Sequence, residues 1–141
     1  MAEIAYKDVV PLLLERFPEF REDERFNPDE LDMPYSIWGG FGRYITELLF
    51  AIPEGELDNH PMVHRVFDFT NEMMSKGDEE TRNIVVIELF ENFYEHRKTY
   101  DLARRKLTES NLPALEYPAN WLKVPDLDQS LAPLIPAPRS G

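Results

Sequence analysis

The chain reads as an all-α bundle of roughly five or six helices, closed by an extended, proline-rich C-terminal strap. Three observations carry this expectation. Apolar residues recur at helical spacing in successive segments. Prolines and a glycine mark the ends of those segments. Apolar residues make up 43% of the 141 residues and aromatics 12%, enough to build one core without a disulfide or metal staple.

The first helix is expected after Asp8, a cap residue, with Pro11 in the first turn, where a missing N–H costs little. Val9, Val10, Leu13, Leu14 and Phe17 form its apolar face, and Pro18 ends it. Phe20 to Phe26 suit a short turn. Asn27-Pro28-Asp29-Glu30 reads as a cap opening another, and Pro34 closes this section. Ser36 is the expected cap of the next helix. There Phe41, Tyr44, Ile45, Leu48, Leu49 and Ile52 fall on one stripe, and Pro53 stops it. Residues 54–60 read as a polar loop containing Gly55.

Two helices are expected in tandem. Asn59 or His60 caps the first, Pro61 opens it, and Val63, Val66, Phe67, Thr70, Met73 and Met74 repeat the helical spacing. Gly77 is the expected C-cap. Asp78 caps the second, with Glu79 and Glu80 near its positive end. The run Ile84-Val85-Val86-Ile87 suits a strand locally, but Val86, Leu89, Phe90 and Phe93 continue at helical spacing. That helix is apolar on more than one face, so it is expected at the bundle centre. A last helix is expected from Thr99 to Leu107, with Tyr100, Ala103 and Leu107 inward. Six of the twelve prolines lie at or beyond Pro113, which predicts a helical domain over 1–112 and an extended segment over 113–141. Leu115, Tyr117, Trp121 and Leu122 are its candidate packing residues, and residues 131–138 read as polyproline-like tail. Successive helix pairs resemble a short helical-repeat stack.

Charge narrows the function classes. Twenty-seven acids face fifteen Lys and Arg, for a formal net charge of -12. That excess repels nucleic acid and attracts cationic partners. It is uneven: residues 1–34 carry ten acids against four bases, and residues 61–97 eight against four. Residues 98–112 reverse the sign, with Lys98, Arg104, Arg105 and Lys106 against Asp101 and Glu109. Internal salt links explain that basic stretch better than phosphate contact does. Cysteine is absent, no apolar run approaches a membrane span, and the first residues lack a secretory pattern. A cytoplasmic protein without cofactor is the expectation.

Three constellations invite chemistry. His60, His64 and Asp68 recur every four residues, as metal ligands on one helix do, but His60 lies at the helix start. A metal-dependent enzyme built on His60 and His64 is therefore the minor alternative. Glu88, Glu91 and Glu95 form a carboxylate row without the Glu-x-x-His spacing of di-iron bundles; a solvated or partner-facing stripe is expected. Trp38-Gly39-Gly40-Phe41-Gly42-Arg43-Tyr44 lacks the flanking strand and lysine of a phosphate loop. Close packing at the start of a helix, anchored by Trp38 and Phe41, is the better reading. No Ser-His-Asp motif is visible, so no catalytic residues are assigned.

The stretches Leu14-Glu15-Arg16-Phe17-Pro18, Trp38-Gly39-Gly40-Phe41-Gly42 and Val66-Phe67-Asp68-Phe69 resemble a group of small acidic all-helical bacterial domains of undetermined activity. The run from Gly77-Asp78-Glu79-Glu80 to Leu89-Phe90-Glu91-Asn92 adds to the resemblance. Such domains are similar to immunity proteins of toxin systems. The implied function is a non-enzymatic protein-binding domain that neutralises a basic toxin, such as a nuclease, through an acidic face. Asp78, Glu79, Glu80, Glu88, Glu91 and Glu95 are the expected contact residues. A scaffold that recruits its partner through the proline-rich tail is the other alternative.

Overall fold

The structure, a computed structural model, describes residues 3–116. These form seven helices, five of them of seven residues or more, and no strand. Helix α1 (Val9–Arg16) follows a 3-10 turn at Tyr6–Asp8, and Asp8 precedes it without a side-chain capping bond. Phe17 and Pro18 end it, and 3-10 turns follow at Pro18–Glu22 and Pro28–Glu30. The Asn27 side chain accepts from the Asp29 amide at 2.9 Å, as the cap reading required.

Helix α2 (Pro34–Ala51) corrects one boundary. It starts two residues before Ser36, because Pro34 takes the opening position, where its fixed φ suits a helix and its missing N–H costs nothing. Gly39, Gly40 and Gly42 therefore lie within the helix, all buried. Helix α2 ends before Pro53, which biases Ile52 toward the extended backbone it adopts. The loop expected over 54–60 is in part a short helix, α3 (Glu54–Leu57), because Leu57 is drawn into the core.

Helix α4 (Pro61–Lys76) buries the six stripe residues named above. His60 caps it, its Nδ1 accepting from the Met62 amide at 3.1 Å. Gly77 closes it with a negative φ, so its need for glycine is space. A Cβ there would lie 2.6 Å from the Thr81 Cγ2 and closer still to the Met73 carbonyl.

Helix α5 is continuous from Glu79 to Phe93 but not uniform. An α segment (Glu79–Ile84) passes into a π segment (Val85–Phe90) and returns to α winding at Glu91–Phe93. The Glu91 amide reaches back to the Val86 carbonyl, the i+5 bond that defines the wider turn. Ile84, Val85, Val86, Leu89, Phe90 and Phe93 are all buried. The β-branched run is thus helical and central, as its context predicted. Helix α2 packs most extensively against the π segment. Helix α1 lies on α2, α4 on α5, and α6 (Arg97–Lys106) on both α2 and the end of α5.

The chain expected to be extended from Pro113 is still helical to Glu116. Helix α7 (Leu112–Glu116) holds Pro113 in its first turn and buries Ala114 and Leu115. The Tyr94 hydroxyl donates to the Leu115 carbonyl. The remainder of the expected strap and tail lies outside the described residues.

Aromatic rings fill the interior. Trp38 stacks on Phe69 at 5.9 Å, Phe17 meets Phe41 at 5.0 Å, and Phe67 meets Phe93 at 5.6 Å. Such pairs contribute about 0.5–1.5 kcal/mol each beyond area burial. The Trp38 Nε1–H donates to the Val9 carbonyl at 3.1 Å, tying α2 to the start of α1. Among the described residues, no helix is long and apolar enough to cross a membrane.

Candidate functional site

The six carboxylates singled out on and before α5 divide into three environments. Asp78 serves the fold. Its Oδ1 accepts from the Thr81 amide at 2.9 Å, and its Oδ2 accepts from the Tyr6 amide at 3.1 Å. Hydrogen bonding from Thr81, and then from the Tyr6 amide, holds its carboxyl below the ordinary range. The same junction pins the N-terminal arm: the Glu3 and Ile4 amides donate to the Lys76 carbonyl, and the Asp78 amide donates to the Ile4 carbonyl. A capping carboxylate so engaged has little left for a partner.

Glu79, Glu80 and Glu95 are exposed. Glu79 and Glu80 sit in the first turn of α5, where the helix dipole favours negative charge. Glu88 and Glu91 are half-buried instead. Burial pushes the Glu88 carboxyl upward, the Glu91 charge adds to this, and the Arg43 charge offsets part of it. Burial likewise raises Glu91. The carboxylate row therefore does not form one solvated stripe.

Among the described residues, none of Glu79, Glu80, Glu88, Glu91 and Glu95 forms an ion pair. The acids that do pair lie elsewhere. Arg16 forms a fork on Glu72, Arg65 on Glu19, and Arg25 meets Asp23 and Glu47. Helix α6 spends its bases in the same way: Arg97 on Asp101 at 3.3 Å, Arg104 on Glu116 at 2.9 Å and Arg105 on Asp58 at 2.9 Å. Lys98 Nζ donates to the Phe50 and Ile52 carbonyls at the end of α2. These are the internal links the sequence suggested for the basic stretch. Arg97, Asp101, Arg104 and Arg105 line an open groove of about 450 Å³ with Leu112.

The other constellations resolve differently. His60 caps α4, while His64 and Asp68 are exposed. Among the described residues, no three His, Asp or Glu side chains are placed to hold a metal ion. The glycine string is a packing surface. A Cβ on Gly39 would lie 2.6 Å from Glu88 Oε2, one on Gly40 would lie 2.7 Å from the Arg25 carbonyl, and one on Gly42 would overlap the Glu88 carbonyl. Trp38 and Phe41 are fully buried anchors, as expected.

One part of the surface was not anticipated. Leu31, Met33 and Tyr35 are exposed large apolar residues just before and at the start of α2. The Tyr35 ring lies 6.3 Å from that of Tyr6. Burial raises the Tyr35 hydroxyl above its ordinary value, and Tyr6, Glu80 and Glu88 add to the rise. The available signal was an apolar residue on each side of Asp32 that joined no helical stripe.

Fold and surface together define an all-helical domain with five carboxylates on and just after its central helix that form no ion pair among the described residues. The chain belongs to the family of DUF7674, a domain of unknown function, whose pattern matches residues 10–114. No curated protein and no solved structure matches the chain.

Proposed function

We propose that this domain is a non-enzymatic binding protein that engages a basic protein partner through the acidic surface of α5. Its most concrete form is an immunity protein that neutralises a cationic bacterial toxin in the cytoplasm. The observation that supports this reading is that, among the described residues, five carboxylates on and just after α5, Glu79, Glu80, Glu88, Glu91 and Glu95, form no ion pair. Glu88 has a partial counter-charge, from Arg43, while Arg16, Arg65, Arg104 and Arg105 are each matched to an acid. Uncompensated charge of one sign steers association with the opposite sign and rejects like-charged partners. Half-buried Glu88 and Glu91 add a second element: a cation docking on them replaces water already partly excluded, where electrostatics are stronger.

The test uses the full chain as bait in its source cells, followed by affinity measurement with the purified partner across a salt series. The double variant Glu91→Lys, Glu95→Lys is expected to weaken binding at least about tenfold and flatten its salt dependence. An unchanged affinity and slope would remove this face from the interaction.

A further inference from the structure

We propose that the surface around Met33, Tyr35 and Tyr6, bordered by Glu80 and Glu88, docks a partner segment in which lysines or arginines flank one large apolar side chain. This inference rests on the protein-binding reading above and specifies the chemistry of the partner.

The apolar part of the surface is concentrated. Leu31 is 45% exposed, Met33 52% and Tyr35 38%, all within five residues. Phe50, at 47% exposed, is different because its ring is already covered by the His96 ring at 4.1 Å and approached by Lys98 Nζ. Among the described residues, Tyr35 has only the tilted ring of Tyr6, at 6.3 Å. The surface is also firmly held. The Met33 carbonyl accepts from the Ser36 and Ile37 amides, and buried Ile37 and Trp38 follow directly. Tyr6 is fixed from the other side by the hydrogen bond its backbone amide donates to the Asp78 carboxylate. A preorganised aromatic on a rigid helix start loses little freedom on binding, which is what makes exposed tyrosines effective anchors.

The border sets the charge of the occupant. Asp29, Glu30 and Asp32 precede or separate the apolar residues in sequence. Glu88 lies against Gly39, one turn along α2 from Tyr35. Glu80 follows two residues after Asp78, whose carboxylate holds the Tyr6 amide, and both charges act on the Tyr35 hydroxyl. None of these five acids forms an ion pair among the described residues. Lys7 beside Tyr6 and Arg43 near Glu88 offset them only in part. A second copy of this chain would bring another net charge of -12 against the same acids, so self-association is disfavoured. The complementary partner is cationic with an apolar centre.

Two labelled synthetic peptides test this with the full chain at about 0.15 M salt. Both are Lys/Arg-rich, and they differ only in a central Trp or Ser. Anisotropy should show the Trp peptide binding at least about tenfold tighter, with NMR shifts centred on Tyr6, Met33 and Tyr35. Met33→Ser should reduce that advantage and Tyr35→Ser should abolish it; both positions are exposed, and circular dichroism checks the fold. Equal binding of the two peptides, or an advantage that survives Tyr35→Ser, overturns the inference. If the peptides bind equally but lose affinity to the Glu91→Lys, Glu95→Lys variant, the acidic-face reading stands and the apolar anchor falls. If neither peptide binds, both fall.

Discussion

Glu88 lies across the helix interface at the point where Gly39 has no side chain, its Oε2 2.6 Å from where a Cβ would stand. One turn along, the Glu88 carbonyl occupies the space a side chain on Gly42 would need. The Asn92 side chain completes this contact by donating to the same carbonyl at 2.6 Å. Glycine inside a helix costs roughly 0.5–1 kcal/mol relative to alanine. Here it allows α2 to approach the π segment of α5 closely enough to pack backbone on backbone.

Gly42→Ala should therefore destabilise the domain by about 1–3 kcal/mol, the usual cost of overpacking, despite the better helix propensity of alanine. Gly55→Ala is the control: no atom lies within 4 Å of its added Cβ, so it should be neutral or stabilise by about 0.4–1 kcal/mol. Urea unfolding of both variants checks the contrast.

Asp78→Ala should cost about 0.5–2 kcal/mol, as loss of a helix cap does. It also releases the Tyr6 amide. Hydrogen exchange should accelerate at Tyr6 and Thr81 and leave the centre of α2 protected. Asp78→Asn, which keeps a capping oxygen, should lose less.

Stability should carry two opposed pH dependences. Glu88 and Glu91 hold their protons more tightly in the folded chain than at the ordinary 4.5. Their favourable contribution is complete below 4.5 and is lost as pH rises through their raised values. Glu19 and Glu72, lowered chiefly by hydrogen bonds from Arg65 and Arg16, act in reverse. Theirs is present above 4.5 and lost as pH falls through their lowered values. Glu88→Gln isolates the first effect. The variant should unfold at a higher temperature than wild type at about pH 7, with the gap closing as pH approaches about 4.5. A gap that is constant across this range would refute the assignment.

Lys98→Met should fray the end of α2. Lys98 supplies the donor for the Phe50 and Ile52 carbonyls, and a cation at a helix C-terminus contributes about 0.3–1 kcal/mol. Faster exchange confined to the last turn of α2, with a small drop in unfolding midpoint, is the expected outcome.

Much of this architecture was legible in the residues. Stripe spacing placed the cores of α1, α2, α4, α5 and α6. His60-Pro61 and Gly77-Asp78 marked junctions where both neighbours behave as their side chains dictate. The start of α2 was misplaced because Ser36 is a good cap in isolation, and only the packing of Ile37 and Trp38 shows that the helix has already begun. Leu57 likewise draws residues 54–57 into a turn of helix that their polarity conceals.

Local chemistry thus determined the helices, their stops and the sign of the surface, since spacing, caps and proline act within a few residues. The tertiary structure decided the rest. The π winding of α5 arises where it packs on the glycine face of α2, and no periodicity within 85–90 announces it. The acids of α5 looked equivalent in sequence; neighbouring helices made Glu88 and Glu91 half-buried, left Glu79, Glu80 and Glu95 in water, and turned Asp78 into a cap. Tyr35 came beside Tyr6 and into the field of Glu80 and Glu88, from three separate stretches of chain. Desolvation and field depend on what lies across the interface, and that is information only folding supplies.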